Sequence, residues 1–203
     1  MTIRRGESWG EAVRAPADLD IVSSDLAASR WVSLHLAAGA PLEPLGLRGG
    51  DMAHTMGGGA PGRFDGPVVR APVDLLRVVA DGDEHWALAH VVARRGWWRG
   101  EVVLAMNAQF LGRYDVAPRG HPNDGRVDVI RVDPSMRARA RWHARRRARI
   151  GTHLPHPQIA VRSTDAWRTE FDHPVGLWID GERRGDVRVL EVTVVPDALI
   201  VLA

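Results

Sequence analysis

Residues 18–24, DLDIVSS, form a short apolar run that ends in two serines, and they predict a buried strand. In the next segment, LAASRWVSLHLAAG, the apolar residues Ala27, Trp31, Leu34 and Ala38 recur at helical spacing. A helix is expected there, capped by Ser24 or Asp25 and ended by Gly39. PLEPLGL reads as a second strand. It leads into PLGLRGGDMAHTMGGG, residues 44–59, where glycines precede Asp51 and a short helical stretch. That arrangement has the look of a phosphate-binding turn. Residues 18–59 therefore predict strand, turn, helix, strand, turn, helix, a βαβα piece of a parallel sheet. About 17 residues precede it, too few for another βαβ unit of roughly 30.

From residue 67 the period changes. VVRAPVDLLRVV, HWALAHVVAR, WRGEVVLAMNAQFLG, RVDVIRVD, IAVRSTDAWRTEF, VGLWIDGE and VRVLEVTVV are β-rich runs. DGD, NDG, DHP and DGE separate them as turn signals. Alternation is clear at Val187, Val189, Val192 and Val194, with one slip that fits a bulge. Seven such runs without long helices predict an antiparallel sandwich. The exception is 135–150, SMRARARWHARRRARI, which is helical in propensity and carries seven Arg. The fold class expected is α+β: a β-sandwich over 67–203 with a small α/β fragment over 1–66.

Composition narrows the chemistry. Hydrophobic residues make up 45% of the 203, enough for a core. No run of 18 apolar residues exists, so no membrane span is expected. MTIRRGESWGEAVR has no apolar signal-peptide core, and cysteine is absent, so the expected address is cytoplasmic. Missing cysteine also excludes disulfides, thiolate metal sites and cysteine nucleophiles. All 27 basic residues are Arg, which excludes Schiff-base chemistry and a P-loop lysine. Phosphate recognition would have to use Arg forks, backbone amides or a metal.

The order of these pieces resembles the diacylglycerol kinase-like lipid kinases, a family that includes bacterial sphingoid and phosphatidylglycerol kinases. PLGLRGGDMAHTMGG looks like its second active-site loop, with Gly50-Asp51 where the family has Asn-Asp. PVDLLRV (72–78), APRGHPNDGRVDV (117–129), LWIDGE (177–182) and VTVVPDALIVL (192–202) match the sandwich half. The resemblance implies Glu182 as general base in a catalytic turn that also holds Asp180. It implies Asp25, Gly49, Gly50, Asp51 and Asp74 around nucleotide and magnesium. It further implies a structural magnesium on Asp124 and the backbone oxygens of His121 and Arg126.

The chain departs from the pattern where the family's G-G-D-G-T loop should stand. It reads Ser23-Ser24-Asp25-Leu26-Ala27: the aspartate stays and the glycines go. Added Cβ atoms remove the freedom that lets backbone amides approach phosphates. The family's first βα units are also missing, and Leu47-Arg48 replaces its Thr-Gly. ATP binding in the usual family mode is therefore not expected.

Each feature also has a plainer reading. Asp25 and Asp51 can be helix caps, Asp74 a strand-end partner, and Asn123-Asp124-Gly125 a metal-free hairpin turn. Arg137, Arg139, Arg141, Arg145, Arg146, Arg147 and Arg149 can line a solvated helix packed by Met136, Ala140, Ala144 and Ala148. They can also form a patch for anionic lipid or phosphate, with Trp97-Trp98 as a second interfacial contact. Nucleic acid fits less well, because the rest of the chain is not basic. Zinc on His153 and His156 and a hydrolase triad are weaker still. The expectation is a catalytically incomplete lipid-kinase-like protein binding a lipid or phosphorylated ligand, peripheral to an anionic membrane. An active kinase with an unorthodox or dimer-completed site, and a structural homodimer module, are the rivals.

Overall fold

The computed structural model describes residues 10–57 and 64–203. The first nine residues and the end of the glycine cluster, Gly58 and Gly59, lie outside the described residues. In chain order the elements begin with β1 (Glu11–Arg14), β2 (Asp20–Val22), α1 (Asp25–Ala37), β3 (Leu45–Leu47) and α2 (Asp51–Thr55). Then come β4 (Pro67–Ala80), β5 (Asp83–Ala87), β6 (His90–Gly96), β7 (Arg99–Met106), β8 (Phe110–Leu111), β9 (Tyr114–Asp115) and β10 (Val127–Val132). After α3 (Ala138–Arg147) and a 3-10 turn (Ala148–Ile150) the chain ends in β11 (Ile159–Thr164), β12 (Ala166–Ile179) and β13 (Glu182–Leu202).

The expected βαβα order is present, and β2 pairs β3 in parallel. It does not stand apart from the sandwich. β3 runs parallel to the end of β13, so both halves share one sheet of order β1-β4-β13-β12-β6-β7-β10-β11. The rest of that sheet is antiparallel. A bulge in β12 between Glu170 and Val175, and one in β13 between Val195 and Leu199, bend these long strands over an inner core. Leu76, Val78, Val91, Val103, Val129, Phe171, Leu177, Ile179, Leu190 and Val192 fill it. The fold is thus a mostly antiparallel β-sandwich-like domain of the α+β class.

Several sequence expectations are adjusted. HWALAHVVAR is two strands broken at Leu88-Ala89, and IAVRSTDAWRTEF is broken at Asp165. The DHP signal is no turn; it falls at the β12 bulge. DGD and DGE are tight hairpin turns, with Asp81, Gly82, Asp180 and Gly181 all at positive φ. The slip in the last strand lies at Arg188-Val189, because Val187, Leu190, Val192 and Val194 are the buried positions. Ser24 caps α1 through the Ala27 amide (3.2 Å), and Gly39 at φ +64° ends it. The buried face of α1 is Ala28, Ser29 and Val32 rather than the expected stripe, and Leu34 is exposed.

A second core joins Ala28, Val32, Leu45, Leu47 and Met52 to Val73, Leu75, Leu199 and Val201. A third lies on the outer face of β6, β7 and β10, where Val92, Val102, Leu104 and Ile130 meet Met136, Ala140 and Ala144. The alanine stripe of the Arg-rich helix therefore packs on the sandwich as one of its two readings expected. No helix among the described residues is long and apolar enough to cross a membrane.

Arg141 corrects the proposed anionic patch. It is buried, and its guanidinium donates to the carbonyls of Met136 (2.8 Å), Asp133 (2.9 Å) and Gly100. It anchors α3 to the β6–β7 hairpin and faces no solvent ligand. Arg141→Ala should lower stability by about 2 kcal/mol, since it leaves buried carbonyls without donors. Urea unfolding checks this, and a change below about 0.5 kcal/mol contradicts the anchor.

Candidate functional site

The loop after β2 and the loop after β3 meet at the start of α2. Asp25 does not cap its own helix. Its carboxylate crosses to α2 and accepts from the amides of Asp51 (2.5 Å) and Met52 (3.1 Å). The contact requires glycine at 50: Gly50 lies at φ +106°, and a Cβ there would stand 2.5 Å from Asp25 Oδ1. Gly49 is also close-set, 3.2 Å from Ser23 O to an added Cβ.

Asp51 is the first residue of α2, and its carboxylate reaches outward. It accepts from the Gly112 amide (2.8 Å) and contacts His90 Nε2 at 3.0 Å. His90 opens β6 and is buried, with Nδ1 unpartnered. Asp180, expected in the catalytic turn, is buried beneath it. Its two oxygens take the amides of Leu88 (2.8 Å), Ala89 (2.9 Å) and His90 (2.9 Å). These bonds fix the strand break at 88–89.

Asp25, Asp51, His90 and Asp180 thus form one cluster between the N-terminal elements and the sandwich. Burial, and then the charge of Asp180, push the Asp25 pKa up to about 7, although the two amides pull the other way. Burial disfavours a proton on His90, but the Asp51 hydrogen bond and the surrounding carboxylates outweigh it and raise its pKa. His90 was not anticipated. It sits in an apolar run, AHVV, and carries no local signal.

Glu182 lies at the rim. Oε1 is 2.6 Å from the Arg30 guanidinium of α1. Arg184 lies 2.7 Å from Oε2, an ion contact without hydrogen-bond geometry. A general base needs a lone pair facing its substrate hydroxyl. Each oxygen here faces a guanidinium.

Asp74 belongs elsewhere. It is fully buried in β4 and accepts from the amides of Gly125 (2.7 Å) and Asp197 (2.9 Å). It ties the 121–126 turn to the β13 bulge, and burial raises its pKa to about 6. Asn107 Nδ2 links the two regions through the carbonyls of Asp74 (2.8 Å) and Leu88 (2.7 Å).

In the 121–126 turn, Asp124 Oδ1 accepts from the Arg126 amide (3.0 Å), and His121 Nδ1 accepts from the Asn123 amide (3.2 Å). The turn closes on itself and does not connect paired strands. The Arg126 side chain is held by Ser163 (3.1 Å to Oγ). Asn123 Oδ1 is buried without a partner, and an oxygen of that kind in a turn with a carboxylate suits a hard cation. Among the described residues no three His, Asp or Glu side chains gather as a metal-binding group. In the 153–156 segment, His156 Nδ1 accepts from the Gln158 amide (3.1 Å).

The second candidate region is a cleft of about 360 Å³ on the outer face of the sandwich. Val102, Leu104, Ile130 and Val132 form its floor, and Met136, Ala144 and Ala148 its roof. Trp97, Trp98, Tyr114 and Arg145 line it near the surface, where Arg145 Nε donates to Tyr114 Oη (2.8 Å). His153 lines the cleft too, buried, with Nδ1 unpartnered. Burial lowers its pKa, so the ring favours its neutral form. The signal for this cleft was present in β7. Val103 and Ala105 point inward while Val102, Leu104 and Met106 are apolar on the other face, which demands a second cover.

Residues 72–203 match the family described as the YegS C-terminal NAD kinase beta sandwich-like domain. A comparison with curated proteins finds no match. Among solved structures the chain is similar to a provisionally assigned diacylglycerol kinase from Bacillus anthracis str. Sterne, with TM-score 0.62 at 12% identity over 91% of this chain and 77% of that one. A second such structure from the same organism gives TM-score 0.58 at 11% identity, over 78% of this chain and 69% of that one. At these identities the likeness is one of fold. The sandwich match covers well over half of the sequence, and the chain therefore belongs to the YegS C-terminal NAD kinase beta sandwich-like family.

Proposed function

We propose that the protein binds a lipid or a phosphorylated amphiphile in the cleft under α3 and does not phosphorylate it. The observation that carries this reading is the placement of Asp25. Its carboxylate takes the Asp51 and Met52 amides, the donors a phosphate would seek at that turn. A phosphate arriving there finds those N–H groups already taken, by a carboxyl that carries negative charge above about pH 7. The cleft supplies the complementary half. Apolar walls accept a hydrocarbon chain, Arg145 and Tyr114 meet a polar head, and His153 Nδ1 accepts from a hydroxyl. In this reading magnesium is structural, held by Asp124 and the carbonyls of His121 and Arg126.

Calorimetry with ATP and ADP, with and without magnesium, should give no heat up to millimolar nucleotide. Lipid extraction of the purified chain followed by mass spectrometry should return a bound amphiphile. Micromolar nucleotide binding that vanishes in Asp51→Ala would overturn the reading. It would favour an active kinase instead, and one observation supports that rival. Asp25 lies in a buried acidic cluster with its pKa near neutrality, as proton-transfer groups do.

A further inference from the structure

Seven described arginines outside 137–149 pair with a carboxylate, Arg184 with Glu182 among them. The others are Arg30, Arg70, Arg77, Arg131, Arg168 and Arg183. The six exposed arginines of 137–149 pair with none among the described residues, and 135–150 contains no Asp or Glu. Arg137 even stands at the α3 N-terminus, where the helix dipole favours the opposite charge. An unneutralised cationic helix of this kind calls for an anionic partner.

Apolar groups are exposed beside it. Trp142, on the outer side of α3, is 45% exposed, and Trp98, in the β6–β7 turn, is 43% exposed. Ile150, just past α3, is 73% exposed. Arg145 stands over the Trp98 ring at 5.6 Å, so the helix and the turn form one surface. Arg95 and Arg99 flank the tryptophan pair and are exposed as well.

We infer that this surface docks on an anionic lipid bilayer, with α3 lying among the headgroups and Trp98, Trp142 and Ile150 at the acyl boundary. Guanidinium groups take lipid phosphates, and indoles prefer that boundary. Nucleic acid explains less. Arg145 and Arg146 already stand over the Trp98 and Trp142 rings, where bases would stack, and Ile150 would meet nothing apolar. Docking also has a consequence for access. Of the cleft residues nearest this surface, Arg145 would sit at headgroup level and Trp98 at the acyl boundary, so a lipid could pass into the cleft without crossing water. That consequence rests on the cleft being a lipid site; the docking itself does not.

The test is co-sedimentation of the full chain with vesicles of phosphatidylcholine alone, or with one-third phosphatidylglycerol. The chain should pellet with the anionic vesicles at low salt and be released at high salt. The triple variant Arg139→Ala, Arg146→Ala, Arg147→Ala should lose about 100-fold in partitioning, near five-fold per charge. Trp142→Ala should weaken binding while the melting temperature stays unchanged. Failure to pellet, or pelleting indifferent to the triple variant, overturns the inference. So does helix-dependent binding of single-stranded RNA or heparin without vesicle binding. Ala144→Phe, which fills the cleft, separates the two proposals: it should abolish extracted lipid and keep vesicle binding. A wild-type chain that pellets but carries no lipid removes only the cleft reading. One that carries lipid but does not pellet removes only the docking surface.

Discussion

Asp180→Ala should destabilise the protein by about 4 kcal/mol, more than any exposed substitution at the site. Three buried amides, those of Leu88, Ala89 and His90, lose the carboxylate that accepts from them in one step. An unsatisfied buried donor costs about 1–3 kcal/mol, and the three share one carboxylate, so their sum is not additive. The turn adds a smaller cost. Asp180 sits at φ +46°, which aspartate tolerates better than alanine. Asp180→Asn keeps one oxygen and the backbone tolerance, so it should cost roughly half as much. For a chain of this size the alanine variant should melt about 12 °C lower. Urea and thermal unfolding of both variants decide the matter. If alanine costs under about 1 kcal/mol, the turn does not hold the 88–89 break, and Asp180 is free for chemistry.

The same residue shows what the sequence could and could not reveal. The DGE and DGD turns were legible because glycine after aspartate is a local signal for positive φ. The break at Leu88-Ala89 was not, because its cause lies 92 residues later in the chain. The two-loop site was half legible. Asp25 and Asp51 were both singled out, as caps or as active-site acids. The structure shows a third arrangement, in which Asp25 serves the helix of Asp51 and Asp51 serves His90. Asp74 was grouped with them by resemblance and lies instead on the 121–126 turn. Among seven arginines the pattern gave no reason to single out Arg141. Only the carbonyls of the β6–β7 hairpin and the 133–136 loop, met in three dimensions, make it the buried one.

Stability should fall as pH rises from about 4 to about 7, and Asp25 should be the main cause. Its carboxyl has an ordinary pKa of 3.8, which the unfolded chain keeps, and folding pushes it up to about 7. Between those values the folded state holds a proton that the unfolded state has released. Folding then takes up protons, and stability declines with rising pH. The contribution is intact below the lower value and gone above the upper one. Asp74, raised to about 6, acts in the same direction. His90 does too, because its pKa is raised and its contribution is lost as pH climbs through the folded value. His85, His121 and His153, whose pKa values are lowered, oppose the trend below about 6.5, so the wild-type curve alone is a mixture. Asp25→Asn isolates the contribution of this one carboxyl. Urea unfolding at pH 5 and pH 8 should show the wild type losing on the order of 3 kcal/mol more than the variant across that range. Parallel curves for the two proteins would mean that Asp25 is ionised throughout. The carboxylate would then face the Asp51 and Met52 amides as a full charge at every working pH, and its barrier to an incoming phosphate would not relax in acid.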